Sequence, residues 1–275
     1  MMSAIRSAIG LSVGVLGLLA LPVTAAEMVK TVQQGNVRAE MSYEKVPSEG
    51  LPAIQNLRLK ISRSGQTLFN QAPPVDEYDR PLLDYGDPSD RQEAGFMVKD
   101  LDGDKEPEVI VDFFTGGAHC CTYSLIYRFN SQQNRYESIN QSWGHVGYSL
   151  RDLNGDGRLE FESADNSFAY AFASFAGSGM PIQIWQYERG KMSEVTRQYP
   201  KLVYADATRW WNYYNESKTQ DGEVKGLLAA YMGTKYLLGQ QEDGWSRLRQ
   251  AYRESDRQQF FQELEKFLKE AGYEG

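Results

Sequence analysis

Two short stretches of the chain carry most of the residues that could bind a metal. The first, residues 100–108, reads Asp-Leu-Asp-Gly-Asp-Lys-Glu-Pro-Glu and holds five carboxylates within nine residues. The second, residues 152–160, reads Asp-Leu-Asn-Gly-Asp-Gly-Arg-Leu-Glu and begins 52 residues later. Hard divalent cations prefer oxygen ligands, and Ca²⁺ takes about six to eight of them. The two stretches therefore predict two calcium-binding loops.

The ligands are expected at the odd-numbered loop positions, because alternate side chains can turn inward around one ion. In the first loop these residues are Asp100, Asp102, Asp104, Glu106 and Glu108. In the second loop they are Asp152, Asn154, Asp156, Arg158 and Glu160. Glu106 and Arg158 stand at the position that usually offers a backbone carbonyl. The leucine at the second position of each loop is expected to point into the core and anchor the loop.

Neither loop is an EF-hand, the helix-flanked calcium loop that ends in a bidentate glutamate. The residue at that last position is Val111 in the first loop and Ser163 in the second. The flanking residues are also typical of strands, as in Phe96–Val98 and Val109–Val111. Asp-Gly-rich turns also join strands without any ion, but two copies in matching contexts favour metal binding.

The two loops differ at their sixth position, where a left-handed turn is expected. Gly157 fills this position in the second loop and Lys105 fills it in the first, where Gly103 could take the bend instead. A left-handed conformation costs a non-glycine residue about 1 kcal/mol. Charge favours the first loop and geometry favours the second, so the better-formed ion site is predicted at residues 152–160.

The residues around the loops predict two copies of one β-unit, at residues 96–139 and 148–196. Each unit runs strand, acidic loop, strand, strand, turn, strand, and Ile126-Tyr-Arg-Phe129 in the first matches Ile184-Trp-Gln-Tyr187 in the second. This order gives one four-stranded antiparallel sheet, and a repeat of about 50 residues favours propeller-like blades. Two blades cannot close a ring, so we expect a part-propeller or an open sandwich.

The loop pattern D-x-[DN]-x-D-G-x-x-[DE] between strands resembles the calcium loops of FG-GAP (integrin α-type) and VCBS repeat proteins. The resemblance covers residues 96–196. The run Gly-Gly-Ala-His-Cys-Cys at residues 116–121 is similar to one that lies beside such loops in bacterial secreted proteins. The resemblance implies bound Ca²⁺ in an antiparallel β-repeat architecture.

Further strands precede the repeats. Alternating Leu57, Leu59 and Ile61, followed by the turn Ser64-Gly65, predict a hairpin that could form an additional sheet.

Helices follow the repeats, because the apolar spacing becomes helical after about Tyr199. Gly239 and Gly272 are predicted to end helices, and Ser255 is predicted to open the last one through a capping box with Gln258. The aromatic residues on the first helix are predicted to be core, and they are Trp210, Tyr213 and Tyr214. The fold class is therefore mainly β with a C-terminal α-helical region, an α+β protein.

The chain is predicted to divide into a signal peptide (1–26), a β domain (27–200) and a helical region (201–275). Arg6 and the apolar run from Ala8 to Leu21 are typical of a secretory signal, and the run is shorter than the ~20 residues that span a membrane. We therefore expect a secreted or periplasmic protein with no membrane span after cleavage. A net charge of −8 argues against nucleic acid as a partner.

Cys120 and Cys121 are the two cysteines of the chain. In an oxidising compartment their only intramolecular bond is with each other, and a disulfide between neighbours is expected to be strained and easily reduced. His119 beside Cys120 also allows a nucleophilic thiol.

Two functions follow from these residues. The first is an exported, non-enzymatic calcium-binding β-repeat protein with a structural metal, acting as a binding, adhesion or scaffold module for a protein or glycan. The alternative is a secreted hydrolase or thiol redox protein that uses His119 and Cys120. No residue is assigned a catalytic role in the first function.

Overall fold

The structure of the chain is a computed structural model that describes residues 26–47, 53–83, 95–117, 120–220 and 222–274. The predicted signal peptide lies outside these residues except for Ala26, which begins the first strand. Within the described ranges, no helix combines the length and the apolar character needed to cross a membrane.

The first sheet confirms the expectation of an additional sheet before the repeats. Its strands are antiparallel in the order β1 (Ala26–Gln34), β2 (Val37–Val46), β3 (Ala53–Arg63) and β4 (Gln66–Gln71). The predicted hairpin joins β3 to β4, and its turn residues Ser64 and Gly65 have φ of 49° and 83°. Positive φ at both turn residues matches the twist of the flanking strands.

The second sheet contains the first predicted β-unit. Its strands are β5 (Arg80–Pro81), β6 (Phe96–Lys99), β7 (Glu108–Phe114), β8 (Thr122–Asn130) and β9 (Arg135–Gly144). Strands β6 to β9 pair in sequence order, and the short β5 pairs with the far end of β7. The loop between β6 and β7 is the first acidic loop.

The third sheet contains the second predicted β-unit, and its order also confirms the prediction. Its strands are β10 (Ser149–Arg151), β11 (Glu160–Ala164), β12 (Ile182–Glu188) and β13 (Lys191–Glu194). The loop between β10 and β11 is the second acidic loop.

Four helices complete the described chain: α1 (Pro200–Lys218), α2 (Lys225–Leu237), α3 (Gln241–Ala251) and α4 (Arg257–Glu270). Nearly every residue of α2 is buried, so α2 is the centre of the helical core. Gly239 and Gly272 follow α2 and α4 with φ of 66° and 80°, which confirms their predicted role as left-handed helix ends.

The second sheet is covered on both faces. One face packs against the first sheet through a cluster that includes Met41, Ile61 and Val111. The other packs against the third sheet through a cluster that includes Ile110 and Phe161. This double burial explains the nearly continuous apolar sequence of β7, because a strand with two buried faces does not alternate.

The third sheet packs in turn on the helical region. Ile182 and Ile184 of β12 are buried in one cluster with Val203 of α1. The predicted fold class, mainly antiparallel β with C-terminal helices, is thus confirmed, and the sheets formed by the described residues do not close into a barrel or a propeller. The predicted division at residues 200 and 201 stays a prediction.

Two local predictions about the helices are wrong. The capping box from Ser255 to Gln258 does not form, since Asp256 precedes α4 and its carboxylate binds Lys225 and Tyr252 instead of the helix backbone. Tyr213 is 46% exposed and not core. The reason is that the buried residues of α1 lie on the side of Val203, Ala207 and Tyr214.

Asp112 is a buried carboxylate on β7, at the interface between the second and third sheets. Its oxygens accept hydrogen bonds from the Ser124 hydroxyl at 2.5 Å and from the Tyr148 hydroxyl at 3.0 Å. Trp143 donates its indole N–H to the same Ser124 oxygen at 2.7 Å. Burial raises the pKa of Asp112 to about 7, and the two hydroxyl hydrogen bonds oppose the rise.

We expect Asp112 to make the protein less stable as pH rises from about 4 to 7. In this window the folded state keeps the Asp112 proton while the unfolded state loses it, so the free energy of unfolding falls with pH. Asp112→Asn cannot ionise, and it should flatten the slope by up to about 1 kcal/mol per pH unit. Urea unfolding across this range measures the slope, with the exposed Glu188→Gln as control. Identical slopes for the wild type and Asp112→Asn would contradict the expectation.

Candidate functional site

The first acidic loop is built around Asp100. One oxygen of its carboxylate accepts the N–H of Gly103 at 2.9 Å and the other accepts the N–H of Lys105 at 3.0 Å. Asp102 and Asp104 then each accept the N–H two residues further on, at 3.4 and 2.8 Å. Short polar side chains that bond the following backbone are the usual way to hold a tight turn.

The second acidic loop repeats these hydrogen bonds position by position. Asp152 accepts from Gly155 and Gly157 at 2.7 and 3.0 Å. Asn154 and Asp156 each accept from the residue two positions on, both at 2.9 Å. The hydrogen bond that the Gly157 N–H donates to Asp152 is the main reason that the pKa of Asp152 is lowered. The two loops therefore share one pattern of backbone hydrogen bonds.

The two loops also share their left-handed residues. Gly103 and Gly155 have φ of 75° and 81°, and Lys105 and Gly157 have φ of 68° and 86°. Gly103 thus does not replace the bend at Lys105, and both loops bend twice. Lys105 takes a conformation that disfavours a side chain, as the sequence predicted for this position.

Three carboxylates of the first loop converge. Asp100, Asp102 and Glu108 each offer one oxygen, and these oxygens lie within 4.8 Å of one another. Glu108 begins β7 and is fully buried. One oxygen of Glu108, Oε2, accepts the N–H of Leu101 at 3.1 Å, whereas Oε1 has no hydrogen-bond partner among the described residues.

Asp104 and Glu106 do not belong to this cluster. Asp104 binds Arg128 at 3.2 Å, and Glu106 binds Arg63 at 2.6 Å. The structure thus brings together three of the four carboxylates predicted as side-chain ligands in the first loop, and arginines on other strands bind the side chains of Asp104 and Glu106. Whether the backbone carbonyl of Glu106 binds a metal stays a prediction.

The second loop has no matching cluster of three acidic oxygens within the described part of the chain. Glu160 is also fully buried, but both of its oxygens have partners. Leu153 donates its N–H to Oε2 at 2.9 Å, and Gln186 donates its amide to Oε1 at 3.4 Å. Tyr199 adds a further hydrogen bond, and burial followed by this bond raises the pKa of Tyr199 to about 12.

The different partners of Glu108 and Glu160 come from one pair of equivalent positions on the neighbouring strands. Val109 pairs with Tyr127 in the second sheet, and Phe161 pairs with Trp185 in the third. This register sets Arg128 beside Glu108, where the third sheet sets Gln186 beside Glu160. The Arg128 Nε lies 3.9 Å from Glu108 Oε1, beyond hydrogen-bond distance.

The electrostatic surroundings of Glu108 disfavour a negative charge in the absence of a cation. Burial raises the pKa of Glu108 to about 8, the Leu101 N–H opposes the rise, and the neighbouring carboxylates of Asp102, Asp104 and Asp100 add to it. A positive ion that enters a buried cluster of this kind favours its fully charged form.

Sequence reasoning missed the residues that distinguish the two loops. Arg63, Arg128 and the Arg189 backbone were not considered, although the Arg189 N–H donates to Asp102 at 2.9 Å. The matched strands Ile126–Phe129 and Ile184–Tyr187 carried a usable signal, because Arg128 and Gln186 differ at the same place in each.

The cysteine segment lies apart from the loops. Cys120 and Cys121 are joined by a disulfide bond. The predicted partner of the thiol, His119, lies outside the described residues. The alternative of a hydrolase or thiol redox protein is not better supported than the first function.

Comparison with known protein families finds a match in the helical region. Residues 203–272 match the family model described as the sll0997 C-terminal domain. The match runs from α1 to the glycine that follows α4.

Two relatives cover more of the chain. A protein of Synechocystis sp. (strain ATCC 27184 / PCC 6803 / Kazusa) named "Probable thylakoid lumen protein sll0997" is 34% identical over 235 residues, which is 82% of this chain and 64% of the relative. "Uncharacterized protein y4bJ" of Sinorhizobium fredii (strain NBRC 101917 / NGR234) is 29% identical over 148 residues, which is 51% of this chain and 22% of the relative. The chain thus spans less than two thirds of the length of either relative.

These matches overturn the resemblance to FG-GAP and VCBS repeat proteins, because they lead to sll0997. The function built on that resemblance, a calcium-binding β-repeat adhesion or scaffold module, is accordingly wrong. The physical reason is that the shared pattern is short. Its aspartates and glycines are the residues that any tight turn of this shape requires, so the pattern does not identify a family.

We expect Lys105→Gly to stabilise the protein by about 0.5–1 kcal/mol, because glycine removes the cost of the left-handed conformation but adds freedom to the unfolded chain. The reciprocal change Gly157→Lys, at the equivalent position of the second loop, should destabilise by about 1 kcal/mol. Thermal unfolding in the presence of a chelator measures both. A loss of stability in Lys105→Gly would show that the lysine side chain matters more than its backbone.

Proposed function

We propose that this chain is an exported protein of a lumen-type compartment and that it holds one divalent cation, Ca²⁺, in the loop of residues 100–108. The name of the Synechocystis relative supports the compartment. The observation that carries the cation site is the buried carboxylate of Glu108, which converges with those of Asp100 and Asp102 and whose Oε1 has no hydrogen-bond partner among the described residues. The proposal concerns one site and does not include a repeat-based adhesion role.

An unpartnered oxygen in a buried carboxylate has a cost that a cation can remove. Burying a polar atom without a partner costs about 1–3 kcal/mol, and the cost for a charged carboxylate is larger. The side chains that converge here offer only oxygen, and no nitrogen or sulfur ligand from the described residues joins them. Oxygen-only sites suit hard cations, and a flexible carboxylate loop suits Ca²⁺ better than the smaller Mg²⁺.

Glu160 supports the proposal as an internal comparison. It has the same backbone loop, the same buried position and the same leucine N–H as Glu108. Its second oxygen, however, accepts the Gln186 amide. Among the described residues Glu108 Oε1 has no such donor, and its loop is the one in which three carboxylates converge. We therefore assign the cation to the first loop, and binding at residues 152–160 stays a prediction.

A cation at this position would affect more than its own loop. Asp102 is buried, and its Oδ2 accepts the N–H of Arg189 from the turn between β12 and β13. An ion held by Asp102 would therefore also steady a contact between the second and third sheets. Binding to the folded state alone would stabilise the protein by mass action.

The finer architecture is part of the same proposal. We infer that the three sheets form an open stack that the C-terminal helices cap, with the cation between the second and third sheets. Packing clusters at each successive interface support this arrangement. A protein or glycan partner for the stack stays a prediction.

Glu108→Gln tests the cation site. Glutamine keeps the shape and the Leu101 hydrogen bond but loses the charge, so the variant should stay folded and lose Ca²⁺ affinity by about tenfold or more. Calorimetric titration with Ca²⁺ measures the affinity, and melting with Ca²⁺ or EDTA measures the stabilisation. Glu160→Gln is the matched control in the second loop and should retain the response at the first. Absence of Ca²⁺ binding in the wild type, or an unchanged response in Glu108→Gln, would refute the site.

Arg128→Gln distinguishes two hypotheses about the positive charge beside Glu108. The charge is either a bound cation or the guanidinium of Arg128. The variant copies the arrangement of Gln186 beside Glu160. If a cation binds, removing the nearby guanidinium should leave Ca²⁺ affinity unchanged or increase it. If Arg128 is the counterion, the variant should lose stability equally with Ca²⁺ and with EDTA.

A further inference from the structure

A cavity of about 690 Å³ lies where α1 covers only part of the third sheet. Ser149, Glu162 and Ile184 form one row across β10, β11 and β12. Ile184 is buried beneath α1, whereas Ser149 and Glu162 line the cavity. The floor of the cavity is therefore the part of β10 and β11 that α1 does not reach, and α1 forms one wall.

The size and walls of the cavity fit a small organic molecule. Binding sites for such molecules commonly enclose about 300–1,000 Å³ and combine apolar walls with a few polar groups. The larger apolar side chains that line this cavity are Val146, Tyr148, Met180, Leu202 and Trp210. A second region of the molecule, separate from the acidic loop of residues 100–108, thus offers a binding surface.

The charged groups of the cavity favour an anion. Asp206 is only 4% exposed, and its carboxylate is already used by the Ile182 N–H, the Trp210 indole N–H and Arg209. The Arg209 side chain is 50% exposed. A guanidinium has five N–H donors, so Arg209 can bind Asp206 and still present donors to a ligand. Glu162, the other carboxylate of the lining, is paired with Arg151.

Arg209 is also held in place before any ligand arrives. Its guanidinium carbon lies 4.6 Å from the centre of the Trp210 ring, and its Nη2 donates a hydrogen bond to Asp206. Contacts with an aromatic face and with a carboxylate together fix the plane of a guanidinium. A pre-positioned arginine binds a carboxylate through two parallel hydrogen bonds, which is a strong and directional interaction.

We propose that this cavity binds a small amphipathic carboxylate. The carboxylate lies on Arg209, and the apolar body lies over Tyr148, Met180 and Leu202. A cationic ligand is disfavoured because both acidic side chains of the cavity are already paired with arginine. This site is independent of the proposed cation site, since it shares no residue with the acidic loop of residues 100–108.

Octanoate is the first probe, with octanol and octylammonium as probes of the same chain length and different charge. Calorimetric titration of the wild type in EDTA should show binding of octanoate, at least tenfold weaker binding of octanol and no binding of octylammonium. Because EDTA removes Ca²⁺, the octanoate result does not depend on whether the proposed Ca²⁺ site exists. Equal affinity for octanoate and octanol, or no octanoate binding at all, would overturn the proposal.

Variants then locate the binding. Arg209→Gln should weaken octanoate binding at least tenfold and leave octanol binding unchanged, and Arg209→Lys should recover part of the loss. Ala205→Phe fills the cavity from an exposed position on α1 and should abolish octanoate binding even if Arg209→Gln does not fold. Thr208→Phe adds the same bulk at an exposed position of α1 outside the lining and should bind as the wild type does. Full octanoate affinity in Ala205→Phe would place the ligand elsewhere and refute this site.

Discussion

The double burial of the second sheet is the constraint on which the rest of the structure depends. Strands β7 and β8 face the first sheet on one side and the third sheet on the other. A polar group in the covered part of these strands therefore has little access to solvent and must find its partner inside the protein. Asp112 meets this demand through Ser124 and Tyr148. Glu108 meets it with only one of its two oxygens.

The same constraint explains why two nearly identical loops have different chemistry. Both loops are held by local bonds from aspartate or asparagine to the following backbone, and both lead into a strand through a buried glutamate. In the third sheet, the neighbouring strand β12 supplies Gln186 as a hydrogen-bond donor to Glu160. In the second sheet, the neighbouring strand β8 places Arg128 beyond hydrogen-bond distance of Glu108. Although the loop geometry is similar, Glu160 has hydrogen-bond partners for both oxygens, whereas Glu108 has a described partner for one. The other oxygen of Glu108 is the one for which we propose a cation.

The helical region shapes the other end of the sheet stack. Helix α1 covers β12 and leaves β10 and β11 accessible, which creates the cavity beside Arg209. The same helix begins the segment that matches the sll0997 C-terminal domain. One wall of the cavity is therefore built from that segment, and the floor is built from the β part of the chain. The cavity depends on both parts, so neither part would form it alone.

The sequence by itself determined the order of the strands, the hairpin at Ser64-Gly65, the glycine ends of the helices and the left-handed sixth position of the acidic loops. These features depend on hydrogen bonds and φ preferences within a few residues, as in the bonds of Asp100 to Gly103 and Lys105. Only the tertiary structure decided that Glu160 has hydrogen-bond partners for both oxygens and that Glu108 has a described partner for one. That outcome depends on Gln186 and Arg128, which lie 26 and 20 residues from the glutamates that they face. Tertiary packing also buried Glu108 and left Tyr213 exposed, because burial depends on what covers a residue and not on its local pattern.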